Sequence, residues 1–343
     1  MNFASDNAWG AHPAVLKALS DCNEGAVGSY GADPITARAE VAIREALGAP
    51  DAVVRFVATG TAANALVCAQ LSPPWGRVYC HDSAHIHRDE CAAPEFFSHG
   101  AKLVPIPGDH GRIAPDALGQ AIRAGATGSL NDGAGALVSI TNATEWGTVY
   151  APADVAALAG VARDAGLRLH MDGARFANAV AGLDCAPADL VRGVDALCLG
   201  GTKNGALAAE AAVFFDPALA QGFDYRRKQS GHVFSKQRYL AAQMLALLTD
   251  GLWLDLARHA NAMAARLGQG LARSGAELLA PVQANEVFAR MAPEAHAAAR
   301  AQGAVYHLWQ DVPPGPGEPV AIRLVTSWAT RDEDVDRFLD LIG

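Results

Sequence analysis

The sequence predicts an α/β protein with a large domain built on a mostly parallel sheet, followed by a small α+β domain. Two observations carry this prediction. Short apolar runs alternate with Ala-rich helical stretches over most of the chain, an order that produces parallel strands joined by helices. After about residue 240 the order changes to one long helical pattern (254–275), then two strands, a short helix, two further strands and a last helix. We therefore place the domains at 1–248 and 249–343.

The predicted strands of the large domain are nearly continuous in apolarity, which is typical of strands buried on both faces. A helical pattern at 153–166 lies between two of them, and a Pro/Gly loop at 311–319 precedes a strand of the small domain. Thr330 and Glu333 have the spacing of a capping box, which predicts the start of the last helix. The strands of the large domain are predicted at 52–58, 77–80, 102–106, 136–141, 167–172, 195–200 and 211–216.

Composition narrows the class of function. The chain has 343 residues, 51% of them hydrophobic, and a net charge of −9, which disfavours nucleic acid as the main partner. The N-terminus lacks the basic and apolar regions of a signal peptide, and we expect no membrane span. Six cysteines without a CxxC pair are typical of cytosolic thiols. We therefore expect a cytoplasmic protein, in which small anions could still bind locally.

Lys203 is the only cation between residues 195 and 216. It follows an apolar strand and lies in a glycine-rich turn, "GGTKNG". A lysine in such a turn can reach a cleft and lose solvent, and a desolvated amine is a nucleophile for carbonyl compounds. Lys203 is therefore a candidate catalytic residue.

Two other turns offer polar groups where strands end. Gly60 and Thr61 begin an Ala-rich helix, and the free N–H groups of a helix start suit a phosphate. An ordinary turn with threonine caps is the alternative. Asp172 ends another strand, where ligands of α/β sheets bind, and Arg175 follows three residues later. A carboxylate that only stabilises a turn is the alternative for Asp172.

The segment 81–90, "HDSAHIHRDE", has three histidines. His81, His85 and His87 could bind zinc, and His85, His87 and Asp89 match the HxHxD opening of a metal-hydrolase pattern, although Glu90 stands where that pattern has a further histidine. A flat cofactor needs only one ring from this segment. One histidine facing such a cofactor, a phosphate site, an Asp after a strand and a lone Lys together favour pyridoxal 5′-phosphate. Lys203 would then be the Schiff-base residue, and Asp172 would lie at the pyridine nitrogen.

The sequence resembles the threonine aldolases, which are fold-type-I pyridoxal-phosphate enzymes with an aspartate-aminotransferase-like large domain. The resemblance covers almost the whole chain and depends on "GTAANAL", "DECAAPEFFS", "HMDGARFANA" and "GGTKNG". "PPWGRVYCH" and "YRRKQSGH" are similar to the branch that acts on β-aryl-β-hydroxy amino acids.

The resemblance implies a role for each matching position. It implies that Lys203 links to the cofactor, that Asp172 binds the pyridine nitrogen and that His85 stacks on the ring. Further implied contacts are Gly60 and Thr61 with the phosphate, Arg175 with cofactor and substrate, Ser5 and Arg323 with the substrate carboxylate, and Lys228 with a phosphate of its own or of a second subunit.

One position departs from the family pattern. Many bacterial members have a second histidine where this chain has Thr144 and Glu145. The group that acts on the substrate hydroxyl is therefore open, and our candidate pair is His85 with Asp89 one helical turn later.

The resemblance implies an aldolase that cleaves L-threonine, L-allo-threonine or L-phenylserine to glycine and an aldehyde. It also implies a homo-oligomer, either a dimer or a dimer of dimers. Another reaction on the same fold, by an aminotransferase or a β-eliminating lyase, is the alternative, because fold alone does not fix chemistry. A zinc hydrolase that uses the histidines of 81–90 is the more remote one.

Overall fold

The computed structural model describes residues 1–309, 314–315 and 317–343, so part of the predicted loop 311–319 lies outside the described residues. Two sheets organise the chain, one of seven strands and one of four. The first sheet contains β1 (Val53–Val57), β2 (Gly76–His81), β3 (Lys102–Ile106), β4 (Ala134–Thr141), β5 (Arg168–Gly173), β6 (Ala196–Gly200) and β7 (Glu210–Phe214). The second contains β8 (Glu277–Leu278), β9 (Glu286–Met291), β10 (His307–Leu308) and β11 (Val320–Val325).

Helices connect and cover these strands, and most of them begin with a proline or a capping side chain. Proline suits the first helical turn because the N–H it lacks has no partner there. The helices are α1 (Pro13–Asp21), α2 (Pro34–Ala46), α3 (Gly60–Leu71), α4 (His85–Arg88), α5 (Ala93–Phe97), α6 (Pro115–Gly125), α7 (Pro152–Asp164), α8 (Phe176–Leu183), α9 (Pro187–Leu190), α10 (Phe223–Gln229), α11 (Arg238–Leu248), α12 (Leu252–Arg273), α13 (Pro293–Ala301) and α14 (Asp332–Ile342).

The seven-stranded sheet has the order β1-β7-β6-β5-β4-β2-β3 and is mostly parallel. β7 is the exception, because it runs antiparallel to both β1 and β6. Every residue of β6 and β7 is buried, as their unbroken apolar runs predicted. The predicted fold class is confirmed, and each predicted strand of the large domain is present with its ends moved by at most a few residues.

The second sheet has its own hydrophobic core with α12, α13 and α14. Phe3 belongs to this core, where its ring meets the Phe338 ring edge-on at 5.4 Å. The N-terminal residues therefore pack on the second sheet and lead the chain from there to the first one. The division at 248/249 stays a prediction.

The capping box predicted at 330–333 is wrong. α14 begins at Asp332, and the residue that precedes it is Arg331. Thr330 is engaged elsewhere, because its Oγ1 accepts the Ser327 N–H at 2.9 Å and closes a tight turn. The hydroxyl that the pattern assigned to the helix therefore stabilises the loop before it.

One stretch differs from the expectation that no segment could span a membrane. Residues 238–273 contain an 18-residue window with a mean hydropathy of 1.3, which is long and apolar enough to cross a membrane by length and composition only. Half of that window is buried inside the protein, and a core helix of a soluble protein passes the same test of length and composition. Asp250 and Gly251 also have positive φ angles of 53° and 74°, which separate α11 from α12.

Candidate active site

Polar side chains gather where the central strands of the first sheet end. Thr141 of β4 pairs with Asp172 of β5, and Asp172 pairs with Cys198 of β6. Lys203 follows three residues after β6 ends. Because the carboxyl ends of parallel strands meet at one edge of a sheet, this register brings the predicted carboxylate and lysine to the same crevice.

Lys203 lies in a short 3-10 turn, Thr202–Asn204. The glycines around it are required by close packing, since a Cβ at Gly201 would lie 2.6 Å from the Met244 sulfur. Gly205 has a φ of +100°, which other residues rarely adopt. Glu210, the first residue of β7, accepts hydrogen bonds from the N–H groups of Gly201 (3.3 Å) and Thr202 (3.4 Å) and so holds the turn in place. Burial raises the pKa of Glu210 to about 7.

The Lys203 side chain is half-buried on the wall of a cavity of about 1280 Å³. Its amine makes no hydrogen bond or ion pair to any residue that the structure describes. A free amine at a cavity wall is accessible to a carbonyl group. The other lining residues are Ser5, Asn7, His81, Asp82, Ser83, His85, His87, Arg88, Asp89, Pro105, Gly108, His110, Glu145, Trp146, Arg175, Leu279, Glu286, Arg290, Leu308, Trp309, Ala321 and Arg323.

Asp172 is held by a chain of hydrogen bonds that the sequence did not reveal. Asn64, on α3, donates its amide to Asp172 Oδ2 at 2.8 Å and to Glu90 Oε1 at 2.9 Å. Asp172 Oδ1 accepts the Ala174 N–H at 2.9 Å. The amide thus spaces two buried carboxylates and keeps the Asp172 side chain in one orientation.

His85 pairs with Glu90, whereas the sequence led us to expect Asp89. His85 Nδ1 lies 2.7 Å from Glu90 Oε1, and this hydrogen bond raises the pKa of His85. α4 ends at Arg88, so the chain turns before Asp89 could complete a helical turn, and Asp89 is exposed. The predicted pair of His85 and Asp89 is corrected accordingly.

Glu145 contacts His85 from the other side. Its Oε1 accepts the His85 backbone N–H at 2.7 Å and the Thr141 hydroxyl at 2.8 Å. Burial, and next the charge of Asp172, raise the pKa of Glu145 to about 7. Thr144, the other residue at the departure from the family pattern, is buried and bonded to the Thr148 hydroxyl at 2.8 Å.

The start of α3 has the groups for an anion. Thr59 caps the helix by accepting the Ala62 N–H, which leaves the N–H groups of Gly60 and Thr61 outside the cap. A Cβ added at Gly60 would meet nothing within 4 Å, so the space beside it is open. Gly60 and Thr61 are half-buried and lie outside the lining of the main cavity.

The three residues expected to grip a carboxylate differ in their surroundings. Arg175 is neutralised, since its guanidinium donates twice to Asp6 (2.7 and 3.1 Å) and lies 3.1 Å from Glu286. Arg323 lies above the Trp309 ring at 5.5 Å, and its buried Nε has no hydrogen-bond partner among the described residues. Of these two arginines, and within the described residues, Arg323 rather than Arg175 is the one available to an anionic group.

Ser5 caps a short 3-10 turn through its oxygen, which accepts the Asn7 N–H at 3.1 Å. Its O–H remains available to donate into the cavity. Lys228 lies elsewhere, exposed on α10 and 5.1 Å above the Tyr30 ring, beside a second cavity of about 640 Å³. The structure does not bring Lys228 to the Lys203 cavity.

The histidines of 81–90 do not converge on one point. His81 uses Nδ1 for Ser83 (2.7 Å) and Nε2 for the Gly108 carbonyl (3.0 Å), and His87 is exposed. A group within the described residues does bring ligand atoms together, since those of His85, Glu90 and Asp172 lie within 4.8 Å of one another. In that group the Asn64 amide already donates to both carboxylates, so hydrogen bonds account for its geometry.

The residues present fit pyridoxal phosphate. Lys203 offers a free amine, Asp172 offers an oriented carboxylate for a pyridine nitrogen, and α3 offers open N–H groups beside an empty space at Gly60. His85 lines the same cavity with a side chain that is 35% exposed. A carboxylate at the pyridine nitrogen and a lysine for a Schiff base are what this cofactor requires.

The fold and this arrangement define the class of the fold-type-I pyridoxal-phosphate-dependent enzymes. The chain belongs to the beta-eliminating lyase family, whose sequence profile matches residues 2–294, and within it to the threonine aldolases. It is 42% identical to low specificity L-threonine aldolase of Pseudomonas aeruginosa in an alignment 343 positions long, which covers 99% of this chain and 95% of that protein.

Solved structures of other proteins are similar to this one. Threonine aldolase of Leishmania major superposes with a TM-score of 0.93 at 31% identity, over 99% of this chain and 98% of that one. Serine palmitoyltransferase of Sphingomonas wittichii gives a TM-score of 0.71 at 16% identity, over 100% of this chain and 86% of that one, which shows a shared fold alone.

Several residues of the site escaped sequence reasoning. Asp6, Asn64 and Glu286 bond with predicted residues from distant segments, whereas Glu90 bonds with His85 five residues before it. Glu90 did carry a signal, because it lies in the family motif that begins "DEC". A buried carboxylate in such a motif could have been tested as the partner of His85.

Proposed function

We propose that this protein is a pyridoxal-phosphate-dependent aldolase that cleaves L-β-hydroxy-α-amino acids to glycine and an aldehyde. L-threonine, L-allo-threonine and L-phenylserine are the proposed substrates. The observation that carries the proposal is the free Lys203 amine, which shares one cavity with His85 and Arg323 while Asp172 is held by Asn64 below. The name of the Pseudomonas aeruginosa relative supports the same reaction.

Each group of the chain then has a task. The cofactor, when bound, supplies the electron sink that makes a Cα–Cβ bond breakable. Lys203 would hold the cofactor through its amine, at the place that the substrate amine would then take. Asp172 keeps the pyridine nitrogen protonated because a nearby negative charge favours the charged form. Gly60 and Thr61 donate N–H groups to the phosphate.

The substrate carboxylate goes to Arg323, with the Ser5 hydroxyl as a second donor. A carboxylate held in one place determines which bond at Cα would stand perpendicular to the cofactor ring. This orientation would favour cleavage of the Cα–Cβ bond over the other reactions at Cα. Arg323 lies on β11 of the second sheet and Lys203 follows β6 of the first. Substrate would therefore bridge the two sheets.

Product analysis tests this function. Purified protein supplied with pyridoxal phosphate and L-phenylserine should release glycine and benzaldehyde in equal amounts. A Lys203→Ala variant should release neither, whereas Lys17→Ala, on the exposed face of α1, should match the unaltered protein. A keto acid with ammonia, and no glycine, would contradict the aldolase.

The family description favours one second candidate, a β-eliminating lyase. Such an enzyme would use the same Lys203 and Asp172 but remove a leaving group from Cβ. L-serine distinguishes the two reactions, because elimination from it yields pyruvate and ammonia whereas retro-aldol cleavage yields glycine and formaldehyde. We also propose a cytoplasmic homo-oligomer, at least a dimer, in which Lys228 reaches a phosphate in a neighbouring subunit.

A further inference from the structure

Glu145 has one bound and one unbound carboxyl oxygen at the wall of the Lys203 cavity. Oε1 is anchored by the His85 N–H (2.7 Å) and the Thr141 hydroxyl (2.8 Å). Oε2 is buried and has no hydrogen-bond partner among the described residues. Buried polar atoms are nearly always satisfied, so an orphan oxygen in a cavity wall indicates a ligand group that binds there.

We propose that Glu145 is the residue that takes the proton of the substrate β-hydroxyl, through Oε2. This inference rests on the proposed function and assigns the base that the sequence left open. In the step, the substrate O–H bond breaks and its proton passes to Oε2. The O–H electron pair forms the aldehyde C=O bond, the Cα–Cβ bond breaks, and its electron pair passes to the pyridoxal cofactor. A later proton at Cα gives glycine.

The other candidates for accepting the proton of the substrate hydroxyl are less suited than Glu145. Glu90 raises the pKa of His85 and so favours the ring that donates from both nitrogens. Asp89 is exposed and lies outside the hydrogen-bond chain of the site. Thr144 is buried and shares its hydroxyl with Thr148 and the His110 carbonyl. Glu90 also has a buried Oε2 without a hydrogen-bond partner among the described residues, but Glu90 does not line the cavity. Compared with His85, Asp89 and Thr144, Glu145 combines an anchored orientation with an acceptor atom still unused.

The surroundings of Glu145 tune it for this task. Burial raises the pKa of Glu145 to about 7, and Asp172 on β5 adds to the effect. A base is most effective when its pKa is near the working pH. Other titratable groups among the described residues also interact with Glu145. They are Cys80 on β2, Tyr150 in the segment after β4, Arg175 in the segment after β5, and His85 on α4, whose backbone N–H donates to Glu145.

A pair of reactions separates the proposed role from a structural one. Glu145→Gln keeps the shape and an oxygen for the His85 N–H, but its amide cannot take a proton. Cleavage of L-phenylserine should fall about 10²- to 10⁴-fold in kcat, the usual contribution of a general base. Deuterium exchange at Cα of glycine, which has no hydroxyl, should stay close to the unaltered rate. Glu45→Gln, exposed on α2, is the matched control for both reactions.

Equal losses in both reactions, or no loss in cleavage, would overturn the proposal. A further measurement needs no turnover. The infrared carbonyl band of the protonated Glu145 carboxyl group should disappear as the pH rises through the pKa of about 7. The buried Glu210 contributes a similar band, so the difference between the unaltered protein and Glu145→Gln isolates Glu145. No titrating difference band would also overturn it. If the unaltered protein makes no aldehyde, the proposed function fails, while this band still reports on Glu145.

Discussion

Nδ1 of His85 lies 2.7 Å from Oε1 of Glu90, and this contact decides the charge of the ring at the cavity wall. The Glu90 side chain is fully buried, whereas that of His85 is 35% exposed. A buried carboxylate beside an imidazole favours the protonated ring and orients it, as in other enzymes in which an acidic residue holds a histidine. The pair therefore fixes how His85 faces a flat cofactor.

Replacing Glu90 should lower the pKa of His85. In Glu90→Gln the ring keeps a neutral acceptor but loses the neighbouring negative charge, so protonation becomes less favourable. Titration of the His85 ring by NMR measures the change. Asp89→Asn is the control, because Asp89 is exposed and makes no bond to the ring. A His85 pKa that moves in Asp89→Asn and not in Glu90→Gln would restore the pair that the sequence suggested.

The same pair makes a pH-dependent contribution to stability. The pKa of His85 is raised in the folded protein, so the favourable interaction is fully present below the ordinary pKa of histidine. It is lost as the pH rises through the folded value. The unfolding free energy of the unaltered protein should therefore fall more across that window than that of Glu90→Gln.

Arg323→Lys should weaken substrate binding. Lysine keeps the charge but loses the fork of donors that matches a carboxylate. The expected cost is about 1.5–3 kcal/mol, which is about a tenfold to hundredfold increase in KM for L-threonine. Arg290→Lys is the matched control, because Arg290 lines the same cavity but forms an exposed ion pair with Glu277. Unchanged kinetics in Arg323→Lys would remove Arg323 from the site.

A cluster of rings beside Arg323 supports a preference for aryl substrates. The Trp146 ring lies 5.4 Å from the Trp309 ring and 5.1 Å from the Phe288 ring, and both tryptophans line the cavity. We predict cleavage of both L-phenylserine and L-threonine, with the higher kcat/KM for L-phenylserine and poor activity on D-isomers. The preference should be modest, since an apolar pocket contributes about 1–3 kcal/mol per methylene.

Trp309→Ala tests whether this cluster of rings contributes to the aryl preference. The ratio of kcat/KM for L-phenylserine to that for L-threonine should fall about threefold to tenfold, the value of a lost aromatic pair. Trp75→Ala is the control, because Trp75 is 67% exposed and lies outside the cavity lining. Equal or better efficiency of the unaltered protein on L-threonine would remove the aryl preference and leave the aldolase assignment in place.

The protein should be at least a dimer in solution. Phe96 is 74% exposed and Tyr225 is 79% exposed, so two large rings lie on the surface of the single chain. Lys228 lies near Tyr225 beside the second cavity and away from the Lys203 cavity, as expected if it serves a neighbouring subunit. Light scattering combined with an activity assay measures this. A monomer with full activity would contradict it.

The sequence predicted the backbone of the site better than its contacts. Strand ends and glycine-rich turns are local signals, so Asp172 and Lys203 were placed correctly at the edge of the sheet. The partner of His85 depends on where α4 ends, which a residue count along a helix cannot show. Neutralisation of Arg175 by Asp6 joins residues 169 positions apart, and only the fold brings them together.

The central claim is that Lys203 binds pyridoxal phosphate covalently, and borohydride reduction tests it most directly. Reduction converts the link between lysine and cofactor into a stable bond, so the labelled peptide identifies the residue. We predict a yellow protein whose label maps to the peptide that contains Lys203, with no label in Lys203→Ala. A label on another lysine, or none after incubation with the cofactor, would contradict the account.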